Sequence, residues 1–126
     1  LAIELFITHD GNVLVNELAP RPHNSGHYTI EACSFSQYDA HIRGIAGWSL
    51  EQPKLLSPAV MVNVLGQHVG PVQKIAPSYP QWHVHDYGKA EAKHNRKMGH
   101  ITVLTDDTRQ AAQELAGTHC WDDILG

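Results

Sequence analysis

The stretch Asn16-Glu17-Leu18-Ala19-Pro20-Arg21-Pro22-His23-Asn24-Ser25-Gly26-His27 joins an apolar run to a dense polar loop. The loop places an arginine, two histidines, an asparagine and a serine beside two prolines and a glycine. So many ionisable and hydrogen-bonding groups make a poor core, whereas loops on a rigid scaffold often carry binding or catalytic residues. We therefore interpret residues 20–27, called the polar loop below, as the lining of a site.

Apolar runs over residues 1–7 and 13–18 flank Asp10-Gly11, a strong signal for a β-hairpin. A two-residue turn at Asp10-Gly11 would place Glu4 directly opposite Glu17, with their Cβ atoms about 5 Å apart. Like charges repel at that distance, so either one carboxyl group keeps its proton or a cation lies between them. A longer loop would shift the register and separate two ordinary surface glutamates, and the pattern leaves these two alternatives even.

Downstream, the pattern predicts helices and three more strands, and we assign the chain to the α+β class. We expect a short helix over 28–33 and a longer one with Ser36 as N-cap, Asp39 in a capping box and Gly47 as its end. After a connector, the expected elements are a strand over 59–66, a helix over 70–76, strands over 82–87 and 99–104, and a closing helix capped by Thr108.

Composition narrows the class of protein. With 42% hydrophobic and 17% charged residues, the 126-residue chain is typical of a folded globular protein. Its net charge of -4 gives no indication of nucleic-acid binding or of a basic membrane-binding face. Two cysteines make no disulfide framework, so a reducing cytoplasm is the simplest setting. Because the chain begins without Met inside a strand-like run, we expect it to be part of a longer protein.

Three groups of polar residues have a functional and a structural interpretation. The polar loop lines a site, or its Arg21, His23 and Asn24 satisfy one another and cap the following helix. The basic loop over 89–97 binds a phosphate, or is merely solvated. His83 and His85, with His94 or His100, could hold zinc, although strand histidines are more often satisfied within the fold.

The longest of these motifs resembles one enzyme family. The polar loop with Asn16 and Glu17 is similar to a motif of the N5-carboxyaminoimidazole ribonucleotide synthases, which are ATP-grasp ligases of purine biosynthesis, named in older usage as the ATPase subunit of phosphoribosylaminoimidazole carboxylase. The resemblance continues through residues 29–33, 36–38, 60–66, 87–89 and 96–100.

The resemblance implies a reaction and its residues. ATP and bicarbonate would give carboxyphosphate, and the amine of 5-aminoimidazole ribonucleotide would take the carboxyl group. Glu4 and Glu17 match the family's paired Mg²⁺ ligands. Arg21 and His23 match catalytic residues of the carboxylation site, where positive charge would stabilise the group being transferred.

The resemblance also implies substrate-binding residues, which we place at Asn24, Lys89 and Arg96. The ribose phosphate of the nucleotide is the expected contact of Lys89 and Arg96.

The implied architecture has two parts. Residues 1–48 would form the C-terminal end of an ATP-grasp domain, a β-hairpin plus two helices, and residues 49–126 a small, mostly antiparallel β C-terminal domain. The groups that hold ATP would lie upstream of Leu1, so we expect the chain alone to be inactive and its complete parent to be a cytoplasmic homodimer acting on small molecules. The alternative is a free-standing histidine-rich module that binds metal or phosphate without catalysis.

Overall fold

Two antiparallel strands, β1 (Ala2–Ile7) and β2 (Val13–Ala19), form the predicted hairpin in the computed structural model of the chain. The structure describes residues 1–125, with only the backbone of Leu125; Gly126, the end of the predicted second domain, lies outside the described residues. Most side chains of both strands are exposed. The polar loop follows directly from the second strand of this hairpin.

The turn of the hairpin is longer than two residues. The backbone N–H of Thr8 donates to the carbonyl of Asn12, and that of Gly11 donates to the carbonyl of Thr8, both at 2.9 Å. Gly11 has a φ of 84°, a conformation that glycine adopts without a steric cost. The ladder consequently begins with Ile7 opposite Val13. Of the two alternatives, the longer loop is therefore the one observed, because the connection spans residues 8–12.

A β-bulge in β2 compensates for the longer turn. Leu5 pairs with Val15, but the register then shifts and Glu4 pairs with Glu17, which leaves Asn16 as the extra residue. The turn and the bulge each move the register by one residue, in opposite directions. Glu4 therefore pairs with Glu17, which was one of the two alternatives, although the structure reaches this pairing through a longer turn and a bulge.

Two helices follow in the first half of the chain. A 3-10 turn (Asn24–Gly26) leads into α1 (Thr29–Ala32), and α2 spans Gln37–Ile45. Ser36 is the N-cap of α2 and forms the predicted capping box with Asp39. Hydrogen bonds from the side chain and backbone of Ser36 hold the pKa of Asp39 below its ordinary value. Gly47, at a φ of 69°, follows the end of the helix as predicted.

The second half of the chain is built on a three-stranded antiparallel sheet. In chain order its elements are β3 (Ala59–Leu65), α3 (Val69–Ile75), β4 (Trp82–Asp86), β5 (Lys97–Leu104), α4 (Thr108–Gly117) and α5 (Asp122–Leu125). In the sheet the strands lie in the order β3-β5-β4, so β5 is the central strand. The predicted strands and the helix near residues 70–76 are confirmed. The predicted cap of α4 is wrong by one residue, because the side chain of Asp107 accepts the backbone N–H of Gln110.

Trp121 is the centre of the core of this half. Its side chain is 1% exposed, and its indole N–H donates to the carbonyl of Asn63 at 2.8 Å. The rings of Trp82 and His68 each meet it edge-on, at centroid distances of 5.9 and 6.0 Å. One tryptophan thus packs against Trp82 of strand β4 and bonds to Asn63 of strand β3, so it contacts both outer strands of the sheet.

Contacts divide the chain into two compact units, residues Leu1–Lys54 and Leu55–Gly126. The α+β fold class is confirmed, with a hairpin and two helices in the first unit and an antiparallel sheet with helices in the second. The domain boundary after Trp48 stays a prediction, since compactness alone does not define a domain. None of the helices within residues 1–125 is both long and apolar enough to cross a membrane.

Replacing Trp121 with alanine tests this account of the core. We expect Trp121→Ala to destabilise the second unit by about 3–5 kcal/mol, because it leaves a cavity and removes the bond to Asn63. Urea unfolding followed by far-ultraviolet circular dichroism measures the change. Trp48→Ala is the matched control, since Trp48 is 69% exposed and its loss should change the free energy of unfolding by less than about 0.5 kcal/mol. Equal effects of the two substitutions would contradict the assignment.

Candidate functional site

Two carboxylates and one imidazole meet at the base of the hairpin. The bulged register places Glu4 opposite Glu17, and the extended backbone after β2 carries His23 back towards them. Nε2 of His23 lies 3.5 Å from Oε1 of Glu4 and 3.9 Å from Oε2 of Glu17. His23 is 8% exposed, whereas the glutamate side chains are 40% and 47% exposed. The carboxylates are thus open to solvent on one side and are closed by the histidine on the other.

The extra residue of the bulge also contributes to this group. Nδ2 of Asn16 donates to Oε2 of Glu4 at 3.0 Å. The bulge therefore does two things, because it restores the pairing of the glutamates and turns the Asn16 side chain towards one of them. Sequence reasoning placed Asn16 beside the site but assigned it no contact with Glu4.

The tautomer of His23 follows from its contacts with Ser25. The backbone N–H of Ser25 donates to Nδ1 of His23 at 3.3 Å, and the Ser25 hydroxyl lies 2.9 Å from the same nitrogen. A backbone N–H is always a donor, so Nδ1 is an acceptor and the neutral ring carries its proton on Nε2. That N–H points towards the carboxylates. In this state His23 is a hydrogen-bond donor at the site and not a metal ligand.

Arg21 supplies a positive charge beside the glutamates. Its Nη2 lies 3.5 Å from Oε1 of Glu17, and its Nη1 donates to the carbonyl of Pro22 at 3.1 Å. The guanidinium is 60% exposed, so the ion pair is too long and too solvated to contribute much stability. Arg21 also lines a groove of about 510 Å³, together with Gln37 and His41. It is therefore available to a ligand.

The donor set fits a divalent cation. One carboxylate oxygen each of Glu4 and Glu17 and one ring nitrogen of His23 lie within 4.8 Å of one another, and of these the two carboxylate oxygens are the available ligands. Opposite ligands of a Mg²⁺ ion are separated by roughly 4 Å, so small side-chain movements would bring two carboxylate oxygens onto one ion. Carboxylate oxygens are hard ligands of the kind that Mg²⁺ prefers, and the solvated side leaves room for water and phosphate oxygens.

Gln37 is a functional candidate that sequence reasoning missed. Its side-chain amide bonds to both main-chain groups of His23, at 2.8 Å each. In the sequence Gln37 is simply the first residue of a helix. The sequence did contain one relevant signal, since the Ser36 capping box starts a helix shortly after the polar loop. That signal does not reveal in which direction the Gln37 amide points.

The other predicted site residues have different surroundings. Asn24 begins the 3-10 turn directly after His23. Lys89 and Arg96 lie on one loop of the second unit, where Lys89 Nζ donates to the carbonyl of Lys97 at 2.5 Å and Arg96 Nη1 donates to that of Glu91 at 3.1 Å. Lys89 lines a cavity of about 370 Å³ in that unit. The basic loop thus holds its two candidate side chains near its own backbone.

The histidines suggested as zinc ligands do not form a cluster in the described part of the chain. The ring of His85 stacks on that of the buried His100, with centroids 4.4 Å apart, and the Tyr87 hydroxyl lies 2.8 Å from Nδ1 of His100. His83 is exposed. Among residues 1–125, the one group of three potential metal-binding side chains is that of Glu4, Glu17 and His23.

Two family models match the chain. The model of the phosphoribosylaminoimidazole carboxylase C-terminal domain matches residues 59–114, and the model of the ATP-grasp domain matches residues 1–38. The first lies within the second compact unit and the second within the first.

Several proteins similar to this chain are N5-carboxyaminoimidazole ribonucleotide synthases or synthetases. The chain is 53% identical to an N5-carboxyaminoimidazole ribonucleotide synthase of Staphylococcus saprophyticus, over 90% of this chain and 30% of that protein. A crystal structure of the Staphylococcus aureus N5-carboxyaminoimidazole synthetase has a TM-score of 0.88 at 50% identity. The match covers 92% of this chain and 32% of the Staphylococcus aureus chain. The crystal structure of the Aspergillus clavatus N5-carboxyaminoimidazole synthase, in complex with ADP and 5-aminoimidazole ribonucleotide, has a TM-score of 0.82 at 35% identity. The match covers 98% of this chain and 34% of the Aspergillus chain. The chain thus spans about a third of the length of these relatives.

Metal titration tests the cluster of Glu4, Glu17 and His23 directly. We expect Mn²⁺, used as a paramagnetic substitute for Mg²⁺, to bind this chain, and Glu17→Gln to weaken its affinity about tenfold or more by removing a carboxylate ligand. Electron paramagnetic resonance of free Mn²⁺ measures both affinities. Glu51→Gln is the control, because Glu51 is an exposed residue of the connector. Unchanged affinity in Glu17→Gln would show that the metal binds elsewhere.

Proposed function

The chain belongs with the N5-carboxyaminoimidazole ribonucleotide synthases, of which it matches the C-terminal part, and on this basis we propose that it supplies the magnesium and carboxylation portion of an ATP-dependent ligase. In the proposed reaction, bicarbonate attacks the terminal phosphate of ATP to give carboxyphosphate and ADP. The amine of 5-aminoimidazole ribonucleotide then attacks the carboxyl carbon, and phosphate leaves. The observation that carries the proposal is the pairing of Glu4 with Glu17 beside Arg21 and His23.

Glu4 and Glu17 are the proposed ligands of Mg²⁺. Two carboxylates face one arginine in this group, so the site has a deficit of positive charge without a cation. A bound Mg²⁺ would supply the charge that holds and polarises the phosphate oxygens of ATP. Asn16 donates a hydrogen bond to Oε2 of Glu4. The other carboxylate oxygen of Glu4, Oε1, faces His23. Asn16 would thereby orient a ligand without binding the metal itself.

His23 and Arg21 are the proposed donors to the group that is transferred. Nε2–H of His23 is held at the site by the contact of Nδ1 with Ser25, and it would donate to a carboxyl oxygen as negative charge develops there. The exposed guanidinium of Arg21 would pair with an anionic oxygen of the same intermediate. Neither role requires the side chain to gain or lose a proton.

The remaining assignments rest on the family relationship. Asn24 would contact substrate next to His23, and Lys89 and Arg96 would bind the ribose phosphate of 5-aminoimidazole ribonucleotide as a point charge and a fork. We also propose that the complete enzyme is a cytoplasmic homodimer. The free-standing metal- or phosphate-binding module has less support, because the described histidines other than His23 form no metal-ligand group.

His23→Ala separates catalysis from metal binding. In the complete ligase that contains this segment, we expect kcat for bicarbonate-dependent ATP hydrolysis to fall about 10²–10³-fold, as for the loss of one donor to a developing oxyanion. Affinity for Mn²⁺ should change by less than about threefold, because Nε2 carries a proton and is not a ligand.

The control is His119→Ala, since His119 is an exposed residue whose described partner is Asp122. Activity close to that of the unmodified enzyme in His23→Ala would exclude the proposed donor role. A large loss of Mn²⁺ affinity would instead make His23 a metal ligand.

A further inference from the structure

We infer that Gln37 is the positioning residue of this site: its side-chain amide fixes the main chain of His23 and thereby aims the imidazole at Glu4 and Glu17. The inference rests on the proposed role of His23 in carboxylation. Gln37 lies at the start of α2, and no contact joins its amide to either glutamate in the described part of the chain. It would therefore act entirely through His23.

The side-chain amide of Gln37 forms hydrogen bonds with both the backbone N–H and the backbone carbonyl of His23. The backbone N–H of His23 donates to Oε1 of Gln37, and Nε2 of Gln37 donates to the carbonyl of His23, both at 2.8 Å. The pair of bonds has the pattern of a neighbouring β-strand, because it joins an N–H and a C=O of the same extended residue. Together the bonds fix the orientation of the amide and restrict rotation of the His23 backbone.

The second hydrogen of the amide is also used. Nε2 of Gln37 lies 2.9 Å from Nδ1 of His27, and the Tyr38 hydroxyl lies 3.0 Å from the same nitrogen. Since Oε1 already accepts from His23, the NH₂ group faces His27, whose Nδ1 must be an acceptor. All three polar positions of the amide are therefore satisfied, so turning it over would break three hydrogen bonds.

The backbone around Gln37 holds this arrangement in place. The Ser36 capping box fixes the first turn of α2, and the backbone N–H of Gln37 donates to the hydroxyl of Thr29 at 2.9 Å. Gly26 leaves space for the amide, since a Cβ at that position would lie 2.5 Å from Oε1 of Gln37. An alanine could not occupy this position without displacing the amide.

These contacts form one path from a helix to the site. The capped start of α2 holds the Gln37 amide, the amide holds the His23 backbone, and Ser25 sets the tautomer of the ring that faces the glutamates. Catalytic groups must be held within about 0.5 Å of their working positions by neighbouring contacts. In this site the described neighbours that do so for His23 are Gln37 and Ser25.

Gln37→Met tests the inference because methionine keeps the length of the side chain but can neither donate nor accept as the amide does. We expect the nuclear Overhauser contact between the ring of His23 and the Glu4 side chain to be lost in this variant of the chain. Bound Mn²⁺ should broaden the His23 ring signals about threefold less, because broadening falls with the sixth power of distance and a shift of about 1 Å suffices. A packing role alone would leave both signals unchanged.

Two further variants complete the design. Gln110→Met is the matched control, because Gln110 lies in the first turn of α4 and its amide bonds only to the exposed Glu114 among its described side-chain partners. Gln37→Glu keeps an acceptor for the His23 N–H but loses both donors, so it should also lose most of the ring contact. It provides the same test if Gln37→Met fails to fold, as judged from its thermal unfolding.

The outcomes separate the inference from the proposed function. A His23–Glu4 contact that persists in both Gln37 variants would overturn the positioning role, whether or not metal binds. Loss of the contact in those variants but not in Gln110→Met supports it. If Mn²⁺ did not broaden the side-chain signals of Glu4 and Glu17 in the unmodified chain, the proposal that these residues bind magnesium would fail. The role of Gln37 would still be decided by the nuclear Overhauser contact between His23 and Glu4.

Discussion

The pairing of Glu4 with Glu17 across the hairpin is the constraint on which the site depends. It is reached by two compensating irregularities, a five-residue turn and a bulge at Asn16. Either one alone would move a glutamate to the opposite face of the ribbon, because side chains alternate along a strand. Two like charges at adjacent positions cost stability unless something binds between them. The hairpin therefore accepts a local cost that a cation would remove, as expected where function and stability compete.

The polar loop completes this site with donors held at fixed positions. Its extended backbone at His23 is braced by the Gln37 amide, its ring is oriented by Ser25, and Arg21 extends into a groove. The conformation of the loop thus comes from hydrogen bonds and not from apolar burial. Such an arrangement suits chemistry in which negative charge develops, since donors that are already oriented need no reorganisation during the reaction.

Much of the fold could be predicted from the sequence because its signals are local. Asp10-Gly11 marks the hairpin, and Ser36 with Asp39 marks the start of a helix. The length of the turn and the bulge could not be predicted, because turn geometry and register are set by the whole ladder and not by four residues. The contacts of Asn16 and Gln37 were missed for a related reason: their partners Glu4 and His23 lie 12 and 14 residues away.

The candidate site was predicted in part by pattern and in part by resemblance. Pattern alone offered the pairing of Glu4 with Glu17 as one of two alternatives, and the structure shows this pairing with Arg21 and His23 beside it. The identity of the expected substrates came from the family resemblance, because distances within the chain do not identify a substrate. Lys89 and Arg96 lie in the second compact unit, so their relation to the glutamates remains part of the functional proposal.

Anomalous X-ray diffraction from crystals of the chain grown with Mn²⁺ would locate the ion relative to Glu4 and Glu17. We expect one strong anomalous peak between the carboxylates of Glu4 and Glu17, with Nε2 of His23 outside the coordination sphere. A peak beside His83 and His85, or none at the glutamates while Mn²⁺ is bound elsewhere, would contradict this expectation.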